Sequence, residues 1–389
     1  MRFNQSKFTL ALALSICGCA LVQDAFALPT FERAFNSIFT KEKKVDPNAE
    51  KMQAQPEFSE EKAKSISKHS DLGDMFFKRR DFTNAMLEYQ IVTKGDPNNY
   101  KAHFMLGKIL MAMSDYEEAL KEFNIVVQIR PVSGDGHFMK AEAHRMLSQF
   151  ESAQQEYATA LKTDSRNALA MSYLGECYRN SGNPRIAITV LKDAIKLDPH
   201  LVVPHVILAK VYLATRLPEP AVEQFEIAVD LNTKDAITRT QYGAALCELS
   251  KFDKAEAQLR KAIEIDPNYA EAHIRLSYCL AKRRKLPDAL EEARLAVALA
   301  PNSADTHSNL AWVYSENGDH TSSVMQYKLA SQIDPKNTKL RRALGLSLRD
   351  QGDIDGAIAE LLYVTRQNPH DDEILLALNE LMQKRKKQN

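Results

Sequence analysis

The chain has 389 residues, with 51 lysines and arginines against 51 aspartates and glutamates. A net charge of zero excludes a molecule-wide field drawing it to nucleic acid or anionic lipid. Thirteen glycines are few for this length and recur at the same few places, which points to a helical protein.

The first residues read as an export signal. Arg2 and Lys7 form a short positive end, and Thr9 to Val22 is an apolar run of about 14 residues, where a spanning helix needs roughly 20. Ala25-Phe26-Ala27 supplies a small-x-small pattern, so residues 1–27 are expected to be removed by cleavage after Ala27. Two alternatives stay open. Ile16-Cys17-Gly18-Cys19 resembles a bacterial lipobox, which would leave a lipidated Cys19 as the mature N-terminus, and the segment could stay uncleaved as an anchor. The expected destination is the periplasm or the exterior, with membrane attachment only if Cys19 is lipidated. Residues 28–65 have little apolar periodicity and read as a flexible linker, apart from a short amphipathic piece at Phe31, Phe35, Ile38 and Phe39.

Beyond the linker the chain repeats. Pro97, Pro131, Pro199, Pro267, Pro301, Pro335 and Pro369 fall on one ladder with a step of 34 residues, interrupted only at Ser165 and Thr233. Such a step marks an array of like units. With the ladder proline at position 32, nine units follow: 66–99, 100–133, 134–167, 168–201, 202–235, 236–269, 270–303, 304–337 and 338–371. In the second, Ala102, Met105, Leu106, Ile109, Leu110 and Met113 form one face of a helix. Ser114-Asp115 breaks it, the aspartate being a good cap for the next helix. Tyr116, Ala119, Leu120, Phe123 and Val127 form the second face, and Arg130-Pro131 stops it. Each unit is therefore a helical hairpin.

Position 8 is small throughout (Gly73, Gly107, Ala141, Gly175, Ala209, Gly243, Ser277, Ala311, Gly345), and position 20 is alanine in eight units, with Ser323 in the other. Opposite these stand large fillers at position 24, among them Tyr89, Phe123, Tyr157, Phe225 and Tyr327. Short side chains let two helices approach, so these positions set the interhelical distance. The pattern, written here as Leu174-Gly175, Tyr178, Ala187, Leu191, Ala194 and Pro199, resembles the tetratricopeptide repeat family. The resemblance spans Ile66 to Asp371 without insertion. It implies an all-α fold, an α-solenoid coiled as a right-handed superhelix, with the first helix of each hairpin lining a concave groove. Residues 372–389 read as a capping helix and basic tail: Ile374, Leu375, Leu378, Leu381 and Met382 share a face that would close the ninth repeat, and Lys384-Arg385-Lys386-Lys387 follows.

Chemistry has little foothold. Cys177, Cys247 and Cys279 are lone cysteines in separate repeats, which makes neither a disulfide framework nor a metal site. No nucleophile–base constellation, phosphate-cradling loop or metal motif appears, so no catalytic residue, metal or cofactor is assigned and no enzyme is expected. His69, His103, His137, His205, His273 and His307 all occupy position 4. They are read as packing groups; a second reading is a pH-responsive array that loosens between about pH 7 and 5 as they charge.

If the resemblance holds, binding falls to positions 2, 5, 6, 9, 12 and 13 of the first helices. The candidates are Phe104, Met105, Lys108, Met111, Phe138, Met139, Arg145, Arg179, Lys210, Arg275, Tyr278, Asn309, Trp312, Lys339 and Arg342. Methionines and aromatics with a few charges suit a protein or peptide partner, and Trp312, the single tryptophan, is the foremost hot-spot candidate. Nucleic acid is not an expected partner. The carboxylate-clamp pattern of chaperone-tail binders is incomplete: Asn309 and Lys339 match, whereas Ile274, Tyr278 and Ala343 do not. The expectation is an exported, non-catalytic scaffold for cell-envelope assembly or trafficking; the alternative is the recognition subunit, for peptide or glycan, of an enzyme encoded elsewhere.

Overall fold

A computed structural model describes residues 60–388 of the chain; the expected signal and the linker as far as residue 59 lie outside the described residues. Within them there are nineteen α-helices and no strand. They pair as hairpins: α1 (Glu60–Lys78) with α2 (Phe82–Gly95), α3 (Tyr100–Ala112) with α4 (Tyr116–Ile129), α5 (Gly134–Met146) with α6 (Phe150–Thr163), and α7 (Ala168–Asn180) with α8 (Pro184–Leu197). After α9 (Val202–Ala214) and α10 (Pro218–Leu231) come α11 (Ala236–Glu248) with α12 (Phe252–Ile265), α13 (Ala270–Lys282) with α14 (Leu286–Leu299), α15 (Ala304–Glu316) with α16 (His320–Ile333), and α17 (Thr338–Gln351) with α18 (Ile354–Gln367). A last helix, α19 (Asp372–Gln388), packs on α18. The chain forms two compact units, one ending at Ile207 and the other beginning at Leu208. The first helix begins at Glu60, inside the stretch read as linker, because Glu60 to Lys64 are helix formers with acids in the first turn.

Every hairpin turns the same way. Position 15, between the two helices of a hairpin, adopts a left-handed backbone in Arg80, Ser114, Ser148, Arg216, Ser250 and Arg284 as well as in Gly182, Gly318 and Gly352. That conformation lets the amide of Ser114 donate to the Met111 carbonyl and the amide of Asp115 to the Leu110 carbonyl, at 3.1 and 2.9 Å. Two carbonyls that the end of α3 would leave bare are thus satisfied. Asp115 then accepts from the amide of Glu118, as the sequence suggested, and Asp81, Asp319 and Asp353 cap their helices alike. The helix after the next turn is capped by Asn99, Ser133, Asn167, Asp235 or Asn337, side chains at position 34.

Position 8 meets position 24, as expected. A methyl built on Gly107 would lie 2.5 Å from the Phe123 ring, and one on Gly73 would lie 2.8 Å from Tyr89. Phe123 and Tyr89 are fully buried and cannot swing away. In the first unit, Phe123, Tyr157, Met139 and Leu174 belong to one core that runs through successive hairpins. In the second, α19 closes the core with Ile374, Ala377, Leu378 and Leu381. Leu375 and Met382, placed on that face from sequence, are instead exposed, and Ala377 takes part in their stead.

The position-4 histidines are more than packing. His103 Nδ1 lies 2.6 Å from a Glu122 carboxylate oxygen, and its Nε2 lies 3.0 Å from the Pro97 carbonyl. His137 repeats this with Glu156 and Pro131, and His273 with Glu292 and Pro267. Each ring ties its own second helix to the turn before its first helix. Arg239 and Arg341 make the same clip with a guanidinium, Arg239 from Thr233 to Gln258 and Arg341 from Pro335 to Glu360. At His103 and His273 the carbonyl and the carboxylate only accept, so both ring nitrogens must donate, and the geometry selects the charged imidazolium. Accordingly the hydrogen bonds to Glu122 and Glu292 hold His103 and His273 above the usual imidazole range, against the opposing effect of burial. At these two rings protonation completes the clip rather than breaking it, opposite in sign to a loosening by acid.

Candidate functional site

The candidate partner residues sit on the first helices of the hairpins, and the two units treat them differently. In the first unit, Met111, Phe138 and Met139 are buried between helices and serve the core. Phe104 and Met105 are half-buried; Phe104 stacks on Tyr100 with ring centroids 5.9 Å apart and meets the Phe123 ring edge-on. Lys108 is buried, its Nζ 5.2 Å from the Phe77 ring centroid and 5.8 Å from that of Phe104, and burial pushes its ammonium down to about 8.

The charges of α5 and α7 also turn inward. Arg145 donates to Glu142 at 2.8 Å and to Glu176 at 2.9 Å, and its guanidinium lies 4.5 Å from the Tyr173 ring centroid. Glu142 is only 2% exposed. Its burial raises its carboxyl against the pull of Arg145, while for Arg145 the two carboxylates outweigh burial and keep the guanidinium charged. Glu142 and Glu176 are thus turned toward neighbouring helices rather than to water. Spacing along one helix could not reveal it, because Arg145 and Glu176 belong to neighbouring repeats. Arg179 is half-buried on α7, with no partner for its Nε among the described residues.

In the second unit the candidates come closer to solvent. Lys210 is half-buried on α9. Arg275 binds Glu271 at 2.6 Å, Arg342 binds Glu373, and Lys339 is exposed in the first turn of α17. Asn309 is fixed from two sides: its Oδ1 accepts from Ser277 Oγ at 2.7 Å and its Nδ2 donates to the Ile274 carbonyl at 3.4 Å. Tyr278 on α13 and Trp312 on α15 hold the same position in consecutive repeats, and their rings lie 5.1 Å apart at 31°. Lys282, one turn beyond Tyr278, places its Nζ 5.5 Å from the Tyr278 centroid and 5.1 Å from that of Trp312. Sequence reasoning did not single out Lys282, although its i,i+4 spacing from Tyr278 was a signal for it.

Cys177, Cys247 and Cys279 are buried free thiols, and Cys279 donates to the Phe252 carbonyl at 3.3 Å. Among the described residues there is no cluster of side chains able to hold a metal ion. No described helix is long and apolar enough to cross a membrane.

Models of the tetratricopeptide repeat match residues 70–133, 138–202 and 243–304, and a further one matches 304–337; together they cover more than half of the chain. An uncharacterised protein of Haemophilus influenzae is 34% identical over 94 residues, which are 24% of this chain and 50% of that protein. The chain thus spans about half the length of that curated relative. Among solved structures, the APC/C hetero-tetramer Cut9-Hcn1 aligns with 71% of this chain and 54% of its own, at 16% identity and a TM-score of 0.54. PilW, a widely conserved type IV pilus biogenesis factor, aligns with 54% of this chain and 98% of its own, at 20% identity and a TM-score of 0.50. Both likenesses are of fold.

Proposed function

The chain belongs to the tetratricopeptide repeat family, and from that premise we propose that it is an exported, non-catalytic scaffold that holds a protein or peptide partner on the first helices of its hairpins. The family's members are interaction scaffolds and generally carry no catalysis of their own. The observation that carries the reading here is the Tyr278–Trp312 pair, two large aromatic rings on the first-helix face that remain partly open to solvent. Rings of this kind, rigid and amphipathic, supply much of the energy in protein interfaces. Export rests on the N-terminal sequence, with its positive end, apolar run and Ala25-Phe26-Ala27. A role in cell-envelope assembly or trafficking follows from that destination.

The test is affinity capture from a cell-envelope extract with the wild-type chain, a Trp312→Ala variant and a control variant of the second helices, Leu295→Ala, a residue 43% exposed. The reading requires one defined protein to be retained by wild type and by Leu295→Ala and lost from Trp312→Ala. Equal retention by all three would refute the assigned face. For export, the mature chain is expected to begin at Leu28; an intact Met1 end in the cytoplasmic fraction would count against it.

A further inference from the structure

Lys282 distinguishes the aromatic pair from a simple apolar patch. On this face of the second unit, Arg275 is neutralised by Glu271, Arg342 by Glu373, and Arg349 by Asp350 at 2.8 Å. Lys282 is exposed, and no carboxylate among the described residues lies within ion-pair distance of its Nζ. An ammonium group has three donors, and ring faces attract the cation without accepting strong hydrogen bonds from it. The donors therefore point to water or to an incoming anion, above two adjacent tilted rings. The shelf is also fixed in place. Asn309, three residues before Trp312 on α15, is locked to Ser277 and Ile274 on α13, which holds the two helices in register beneath the rings. Pre-ordering of this kind reduces the entropy lost on binding.

We infer that the Tyr278–Trp312–Lys282 shelf binds an acidic peptide segment, in which an aspartate or glutamate meets Lys282 while a neighbouring aromatic or aliphatic side chain lies on the two rings. This rests on the scaffold reading above and names the chemistry of its partner. A polynucleotide also offers stacking groups and anions, but its affinity comes from several phosphates, each needing a cation. Here Arg275, Arg342 and Arg349 are already paired with Glu271, Glu373 and Asp350, whose carboxylates would repel a phosphate chain.

Trp312 is the only tryptophan, so its fluorescence reports directly on the shelf. The full chain is titrated with a capped peptide of alternating glutamate and phenylalanine, with the same peptide carrying glutamine for glutamate, and with oligothymidylate. The expected result is saturable binding of the glutamate peptide, binding of the glutamine peptide weaker by about tenfold or more, and no saturation with oligothymidylate. Lys282→Glu, an exposed change checked for retained helicity, is expected to weaken the glutamate peptide by about tenfold or more and to favour a lysine–phenylalanine peptide. If the glutamine peptide binds as tightly as the glutamate one, the acidic preference is overturned while the scaffold reading stands. If no peptide perturbs Trp312, the shelf fails as a peptide site altogether. Preferential binding of oligothymidylate would overturn the inference in favour of nucleic acid.

Discussion

The histidine clip makes a prediction about stability whose sign can be checked. In repeat seven, His273 is 5% exposed and spans from Glu292, 2.7 Å from Nδ1, to the Pro267 carbonyl, 3.1 Å from Nε2. Hydrogen bonds to charged groups are worth about 1.5–3 kcal/mol and neutral ones about 0.5–1.5 kcal/mol. His273→Gln keeps a polar group of similar size but cannot carry charge or reach both partners. It should cost about 2–3 kcal/mol in mild acid. Because Glu292 raises the folded-state pKa of His273, its charge-dependent contribution is complete below the unfolded value of about 6.5. That contribution fades as pH rises through the folded value. The penalty of the variant should therefore shrink to about 1 kcal/mol at alkaline pH, where only a neutral hydrogen bond is lost. Urea unfolding followed by Trp312, which lies in the adjacent repeat, reads the local stability of the array. Comparing variant with wild type at each pH removes the titration of unrelated groups. A penalty that stays constant from about pH 5.5 to 8.5, or grows with pH, would refute the imidazolium clip.

Arg145→Met should destabilise the first unit by about 3–5 kcal/mol, because Glu142 is left charged and buried without its partner. Adding Glu142→Met should recover most of that loss in thermal unfolding followed by circular dichroism; a double variant as unstable as the single one would contradict the assignment. The shared left-handed turn gives a matched pair. Gly182→Ala meets no atom within 4 Å, so its cost of about 1 kcal/mol is backbone strain alone. Ser114→Gly should gain about 0.5 kcal/mol, the relief of strain being partly offset by the freer unfolded chain. Equal melting temperatures for both variants and wild type would show that the turn is not strained.

Much of the fold was legible because it is local. The proline ladder, the small residues at position 8 and the caps such as Asp115 act within one hairpin, at separations of a turn or of one helix pair, and every repeat restates them. The end of the array was less exact: a single helix has two plausible apolar faces, and contact with α18 selects Ala377 over Leu375.

The candidate site was legible only as a set of positions. Helical periodicity places Met111, Phe138, Met139, Tyr278 and Trp312 on first helices alike, yet the first three are buried and the last two remain partly open. Which of them meets solvent depends on how far the neighbouring repeat covers it, a distance that no one unit encodes. The same holds for charge: His273 finds Glu292 nineteen residues away across its hairpin, and Arg145 finds Glu176 in the next repeat. The sequence by itself determined the hairpin and its repetition, since these follow from dihedral preference and apolar spacing along the chain. Only the tertiary structure decided which charges are clipped, which are buried in pairs and that Lys282 faces outward over two aromatic rings, because each depends on side chains brought together from different helices.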